Sequence, residues 1–395
     1  MRKTGMSLRG NWNYPTAVRF GAGRIAELPG ACRELGIARP LLVTDPSLAG
    51  LPMVKDAVAH CRAEGLEAGL FSAIKGNPTG ANVEAGVAAF HEGDHDGVVA
   101  FGGGSGLDAG KAIAFMSGQT RPIWDFEDVG DNWTRADPAG IAPIIAVPTT
   151  AGTGSEVGRA SVITDDEHHV KKIIFHPRIL PQIVIADPEL TLGLPARITA
   201  ATGMDALSHN LEAFCAPGYH PMARGIAVEG MRLIHDWLAR AVEDGGNLEA
   251  RSHMLVASSM GAAAFQRGLG AMHALAHPLG ALYDAHHGTL NAVVMPYVLL
   301  ANRPAIEDDI AYAAGCIGLD QAAFPAFLDW VLALRRRIGI PSDLQGLGID
   351  AKQAELVGRM AVEDPSAATN PIQFSAEQYA ALFRRAVAGD LSPPN

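Results

Sequence analysis

The spacing of apolar positions changes character once along this chain. In the first half, short unbroken apolar runs alternate with stretches whose apolar residues recur at helical spacing. The runs are Leu41-Leu42-Val43-Thr44, Gly97-Val98-Val99-Ala100-Phe101, Ile144-Ile145-Ala146-Val147 and Ile183-Val184-Ile185-Ala186, with amphipathic segments such as 54–64 and 81–93 between the early ones. Strands covered on both faces carry apolar residues continuously, so this pattern predicts a parallel sheet flanked by helices. After Asp187-Pro188-Glu189-Leu190 and the break at Gly193-Leu194-Pro195, Ala, Leu and Met at helical spacing take over to the end. The prediction is an α/β domain over 1–195 and an all-helical domain over 196–395, without internal repeats. Only the tail Ser392-Pro393-Pro394-Asn395 reads as frayed.

In the helical half, Asp205, His209, His273 and His287 have the spacing of a mononuclear metal site. Residues 203–214 read as helix, and Asp205 and His209 stand at i and i+4, on one helical face. Residues 271–280 repeat that spacing with His273 and His277, and His287 follows in Asp284-Ala285-His286-His287-Gly288. One carboxylate with three imidazoles suits Fe(II) or Zn(II) better than Ca(II) or Mg(II). Most of the 14 histidines need no such role, and His168, His169, His220, His235 and His253 are read as surface or supporting residues. The candidate ligands differ in being set among Ala, Leu, Met and Gly, where an imidazole needs a polar partner.

Two loops after predicted strands have the chemistry of nucleotide sites. Gly102-Gly103-Gly104-Ser105-Gly106-Leu107-Asp108-Ala109-Gly110-Lys111 opens an Ala-rich helix. Backbone amides at a helix N-terminus, free of side-chain bulk, make a pyrophosphate site. Gly104-x-Gly106-x-x-Ala109 fits the dinucleotide fingerprint, although it comes later in the sheet than that fingerprint usually does. Pro148-Thr149-Thr150-Ala151-Gly152-Thr153-Gly154-Ser155-Glu156 supplies hydroxyls after another strand, as a nucleotide contact or as a plain turn. Asp45 stands where a carboxylate either reads an adenosine ribose, favouring NAD over NADP, or opens a turn with Pro46.

Composition narrows the field of partners. The 395 residues exceed one typical domain, and 48% apolar with 18% charged residues fits an ordinary globular protein. A net charge of −11 and a pI near 5.7 oppose nonspecific binding to nucleic acid or anionic membrane. Cys32, Cys61, Cys215 and Cys316 form no C-x-x-C pair, consistent with reduced thiols. The start lacks an apolar signal core, and the apolar run at 291–301 is interrupted by Pro296 and is shorter than the roughly 20 residues that span a bilayer. The expectation is a cytoplasmic protein with no membrane span.

Taken in order, the motifs at 102–111, 148–156, 203–214 and 273–288 resemble those of the iron-containing (group III) alcohol dehydrogenases. The resemblance covers about 20–301 and runs more loosely through the helical tail. It implies a dehydroquinate synthase-like fold, with an NAD-binding α/β domain followed by an all-α metal-binding domain. It implies NAD(H)-dependent interconversion of primary alcohols and aldehydes on Fe(II), or on Zn(II), and a homodimer to which the early strand near 16–20 contributes. By position, Asp205, His209, His273 and His287 match the metal ligands, and His277 matches a non-ligand histidine beside the nicotinamide. Gly102, Gly103, Gly104, Ser105 and Asp108 match the pyrophosphate loop. Thr149, Thr150 and Thr153 match nucleotide contacts, Asp45 the ribose reader, and Lys171, in preference to Lys172, a basic cofactor contact.

His277 is expected to pass the alcohol proton toward solvent or to orient a ligand. Arg267, shortly before His273, is read either as a reader of an acidic group on the substrate or as an ion-pair residue. The competing reading is a metal- and NAD-dependent lyase or polyol dehydrogenase of the dehydroquinate synthase or glycerol dehydrogenase type. The pair Asp205-x-x-x-His209 speaks for the alcohol dehydrogenase branch. A non-catalytic binding protein is opposed by the unbroken ligand set and the glycine loop.

Overall fold

The computed structural model describes residues 10–12, 16–168 and 170–392. The readings made on the chain start, on His169 and on 393–395 of the tail lie outside the described residues. The chain forms two compact units, Met1–Thr150 with Gly154–Leu192, and Gly193–Asn395 with Ala151–Thr153.

In the first unit the strands are β1 (Gly10–Trp12), β2 (Ala17–Phe20), β3 (Pro40–Val43), β4 (Gly69–Phe71), β5 (Gly97–Gly102) and β6 (Ile144–Pro148), then β7 (Ala160–Asp165), β8 (Val170–Phe175) and β9 (Ile183–Ala186). Seven of them form one sheet in the order β1-β2-β9-β6-β5-β3-β4, parallel except for β1, which pairs antiparallel with β2 at the edge. The four apolar runs are β3, β5, β6 and β9, and every residue of these strands is buried.

The helices of this unit are α1 (Leu28–Glu34), α2 (Pro46–Ala49), α3 (Pro52–Ala63), α4 (Gly80–Glu92) and α5 (Gly104–Met116). They explain why the runs are continuous. Leu41, Val43, Val98 and Ile144 pack with Val83, Phe90 and Ile113 of α4 and α5. Leu42, Val99, Ile145 and Ile185 face the other way, onto Leu28, Ala31, Val54 and Val58 of α1 and α3. Successive strand residues point to opposite faces, and both faces are covered. The hairpin β7–β8 has no continuous apolar run and did not stand out in the sequence; the register pairs Ala160 with Phe175 and Asp165 with Val170.

The second unit is helical, as its periodicity predicts: α6 (Ala196–Cys215), α7 (Pro221–Glu243), α8 (Leu248–Ala264), α9 (Ala271–Tyr283), α10 (His287–Cys316), α11 (Phe324–Arg337), α12 (Ala354–Glu363) and α13 (Ala376–Ala388). Helix α6 is buried almost throughout and packs against α7, α8 and α10. Leu207, Leu211 and Phe214 of α6 join Met231 and Ile234 of α7 and Val293 and Val294 of α10 in one core. Pro296 does not end a segment but sits inside α10 together with Pro304. Among the described residues, no helix is long and apolar enough to cross a membrane.

Candidate metal centre and nucleotide loops

Three helices of the second unit bring the predicted ligands together. Asp205 and His209 lie one turn apart on α6, His273 and His277 one turn apart on α9, and His287 is the first residue of α10. As the start of a helix, His287 is fixed by the backbone of α10. Gly288 allows the approach, because a Cβ there would meet the Ala201 carbonyl oxygen at 2.3 Å and Asp205 Cβ at 3.1 Å. Any side chain at 288 would push His287 away from Asp205.

Donor atoms of Asp205, His273 and His287 all lie within 4.8 Å of one another. His287 Nε2 is 3.6 Å from Asp205 Oδ1. His209 does not join that trio at this spacing. Its ring lies parallel to that of His273, with centroids 4.7 Å apart, and its buried Nδ1 makes no hydrogen bond among the described residues. Asp205, His209 and His273 are buried and His287 is half-buried. Burial pushes the His273 imidazole well below its usual range, and the neighbouring His209 adds to this. A neutral imidazole is the form that ligates a metal.

Carboxylates and amides around these residues complete the site, and the sequence reading missed them. Glu212 accepts from the backbone amides of Gly270 at 2.9 Å and Met272 at 2.6 Å, and its Oε2 lies 2.6 Å from His273 Nδ1. Burial raises the Glu212 carboxyl to about 7, even though the Met272 and Gly270 amides pull it down. Asn291 Nδ2 donates to Asp205 Oδ1 at 2.9 Å and lies 3.2 and 3.1 Å from Nε2 of His273 and His287. Asp205 Oδ1 and Nε2 of His273 and His287 therefore converge on one point. Helical spacing carried a signal for both residues: Glu212 is three residues after His209, and Asn291 four after His287.

His277 takes a different partner. Its Nδ1 lies 2.7 Å from Asp364 Oδ2, at the end of α12, and its ring stacks on His287 with centroids 5.3 Å apart. Burial pushes the Asp364 carboxyl up, but the His277 imidazole and the Ser366 amide outweigh it and hold it below the usual range. The carboxylate is thus ionised, so His277 Nδ1 is the donor in this pair. The two residues are 87 positions apart, and no sequence pattern links them.

Arg267 is tied to backbone carbonyls through Nε and Nη1. Its guanidinium donates to the carbonyls of Ala213 at 3.2 Å, Phe214 at 2.5 Å and Gly218 at 3.1 Å. It caps the C-terminal end of α6, where the last carbonyls lack helical partners and a cation is favoured. The ion-pair alternative does not describe it, since its partners are backbone carbonyls.

In the first unit, β5 runs straight into α5 through Gly102, whose φ of +147° only glycine adopts readily, and Gly103 is the N-cap residue. Gly104 and Ser105 open the first turn, whose amides have no intrahelical partner. The Ser105 hydroxyl donates to the Gly76 carbonyl. Asp108 is committed internally: Oδ1 accepts from Ser155 Oγ at 2.5 Å and pairs with buried Lys111 at 3.3 Å, while Oδ2 accepts from the Val162 amide at 3.0 Å. Asp108 therefore braces α5 against β7.

Asp45 caps α2, as its turn reading proposed, with Oδ1 accepting from the amides of Ser47 and Leu48 and from the Ser47 hydroxyl. None of these bonds uses Oδ2. Thr149 is buried at the end of β6, its amide donating to the Gly102 carbonyl at 2.9 Å, and Thr150 lies against Gly103. Thr153 is half-buried in the second unit. Lys172 is engaged by Asp165 at 3.0 Å, Glu127 at 3.6 Å and the Trp124 ring, whereas neighbouring Lys171 is half-buried on β8.

The chain is similar to known proteins in sequence and fold. Residues 15–188 match the family model described as iron-containing alcohol dehydrogenase, and residues 199–387 match that of the C-terminal region of the Fe-containing alcohol dehydrogenase family. The 4-hydroxybutyrate dehydrogenase of Cupriavidus necator is 39% identical over 383 residues, which are 95% of this chain and 99% of that protein. The crystal structure of a 1,3-propanediol oxidoreductase superposes with a TM-score of 0.89 at 36% identity, covering 97% of this chain and 100% of the other. That of the sulfoacetaldehyde reductase of Bifidobacterium kashiwanohense in complex with NAD+ gives 0.86 at 29% identity, over 98% and 100%. These matches span both units and do not favour the lyase or polyol dehydrogenase alternative. The chain belongs to the iron-containing alcohol dehydrogenase family.

Proposed function

We propose that the protein interconverts primary alcohols and aldehydes with NAD(H) at a divalent cation, Fe(II) ahead of Zn(II), held by Asp205, His209, His273 and His287. The observation that carries the reading is the convergence of Asp205, His273 and His287 donor atoms within 4.8 Å. The unused nitrogen of buried His209, beside His273, suits a fourth ligand. One carboxylate and three neutral imidazoles fit a borderline metal. When bound, the cation supplies Lewis acidity toward the substrate oxygen and the nicotinamide supplies the hydride chemistry.

The residues around this centre have separate tasks. His277, with Nδ1 held by Asp364, takes up the alcohol proton at Nε2 and gives it back in the reverse direction. Gly102 and Gly103 leave room for a pyrophosphate and Gly104 and Ser105 offer it first-turn amides, with Asp108 fixing the loop from behind. Asp45 keeps Oδ2 for a ribose hydroxyl, and its charge opposes a 2′-phosphate, which favours NAD. Thr149, Thr150, Thr153 and Lys171 are the remaining cofactor contacts in this reading.

The proposal includes a homodimer in a reducing cytoplasm. The strand expected at 16–20 is β2, which is paired on both sides by β1 and β9, so the edge open to a second copy is β1 instead; the four free cysteines, two of them buried, fit reduced thiols. The substrate is a small alcohol or aldehyde. The test is NADH formation from a panel that includes 1,3-propanediol and 4-hydroxybutyrate, after anaerobic loading with Fe(II) or Zn(II) separately. Turnover that a chelator abolishes and metal restores supports the reading. Absence of turnover with every alcohol and aldehyde, with NAD(H) and NADP(H) alike, would refute it.

A further inference from the structure

The first amides of α9, the helix that carries His273 and His277, are not capped by the residue that precedes it. Gly270 has no side chain to offer, and the amides find partners on distant elements. Glu212 accepts from Gly270 and Met272, and Asn370 Oδ1 accepts from Ala271 at 3.0 Å. Glu212 stands on α6, with Asp205 and His209 on the preceding turns. Its carboxylate is 5% exposed and also meets the Nδ1 of His273, so a single group contacts the start of α9 and the candidate ligand in its first turn. Asn291 Nδ2 can only donate, which makes His273 Nε2 the acceptor there and leaves an Nδ1 proton to be donated to Glu212. That places the proton on Nδ1 and the lone pair on Nε2, the atom that lies 3.2 Å from Asn291 in the cluster.

We infer that Glu212 is a positioning residue of the metal centre, which ties α9 to α6 and holds His273 in the tautomer that presents Nε2 to the cation. The inference rests on the reading of Asp205, His209, His273 and His287 as ligands. A negative group at the start of α9 is favoured by the helix dipole, and a carboxylate behind a ligand imidazole makes that imidazole a stronger donor. Asn370 shares the capping but does not touch His273, so a purely structural cap is distinguishable from one that also sets the ligand.

The test uses the full chain with Glu212→Gln, which preserves shape and removes the charge, and Asn370→Ala as the capping control. Folding is checked by circular dichroism, Co(II) affinity by titration, and site geometry by the Co(II) d–d spectrum. The expected result for Glu212→Gln is a 10- to 100-fold weaker affinity with an altered spectrum, ~10–100-fold being the usual effect of losing such a partner. Asn370→Ala is expected to keep the spectrum. Unchanged affinity and spectrum in folded Glu212→Gln would overturn the inference. Should Glu212→Gln not fold, 15N-histidine NMR of the metal-free wild-type chain decides: a proton on His273 Nδ1 supports the inference, and one on Nε2 overturns it. Failure of the wild-type chain to bind Co(II) at all would instead count against the ligand reading, which separates the two.

Discussion

His277 and His273 each face a carboxylate through Nδ1, at 2.7 and 2.6 Å, yet the consequences differ. The partner of His273 is buried and sits among the ligand helices, whereas His277 is partly open and its Nε2 makes no hydrogen bond among the described residues. A nitrogen in that state can exchange protons with substrate and solvent. Replacing His277 with Ala is expected to lower kcat by about 10²- to 10⁴-fold while metal content stays near that of the wild type. Loss of the metal along with activity would reassign His277 to the ligand set. At this scale the sequence showed the histidines, because i, i+4 spacing on a helix is local. It did not show Asp364, whose contact depends on the packing of α12 against α9. Glu212 and Asn291 were within reach of helical spacing, but one reads as an ordinary acid and the other as an ordinary amide until their neighbours are known.

Helices and strands fix these residues through contacts that composition does not foretell. Arg267 shows this best: a lone cation before a ligand segment suggested anion recognition, but Nε and Nη1 of its guanidinium serve backbone carbonyls at and just beyond the end of α6. Arg267→Ala is expected to cost about 1–2 kcal/mol of stability and to change the apparent affinity for acidic and neutral aldehydes equally. A selective loss for the acidic aldehydes in a steady-state comparison would return the residue to the substrate site. In the first unit the buried parallel strands were legible because each is a continuous apolar run. The β7–β8 hairpin was not, since its strands mix polar and apolar residues and are held partly by charge. Asp165, 4% exposed, accepts from His168 and pairs with Lys172. Burial pushes the Asp165 carboxyl up, but Lys172 and His168 outweigh it and hold it far below the usual range. Its folded-state pKa is therefore below the unfolded value of about 3.9, so the stabilisation is complete above that value and is lost as pH falls through the folded one. Asp165→Asn is expected to cost about 1–3 kcal/mol at pH 7, with the gap from wild type closing in strongly acidic buffer. Urea melts at the two pH values check it, and a gap that widened on acidification would contradict the assignment.

At the scale of the whole molecule, the proposed ligands come from α6, α9 and α10, so any ion they share ties three helices of the second unit together. Binding to the folded form alone adds stability as RT ln(1 + [L]/Kd), about 4 kcal/mol at a thousandfold excess over Kd. Anaerobic Fe(II) or Zn(II) is expected to raise the thermal midpoint and a chelator to reverse it, in a calorimetric scan of the full chain. Replacing Asp205 with Ala should remove most of that increment. The division between sheet-forming and helical halves was readable because it is written in periodicity, which is a local property. The convergence of the ligands was only implied, because spacing sets which helical face a residue occupies and not which faces meet. The most direct measurement is anomalous diffraction at the iron edge from a crystal of Fe(II)-loaded protein. The account predicts one peak about 2.0–2.2 Å from an oxygen of Asp205 and from imidazole nitrogens of His209, His273 and His287. Iron bound elsewhere, or no peak among these four side chains in protein that turns over alcohol, would contradict it.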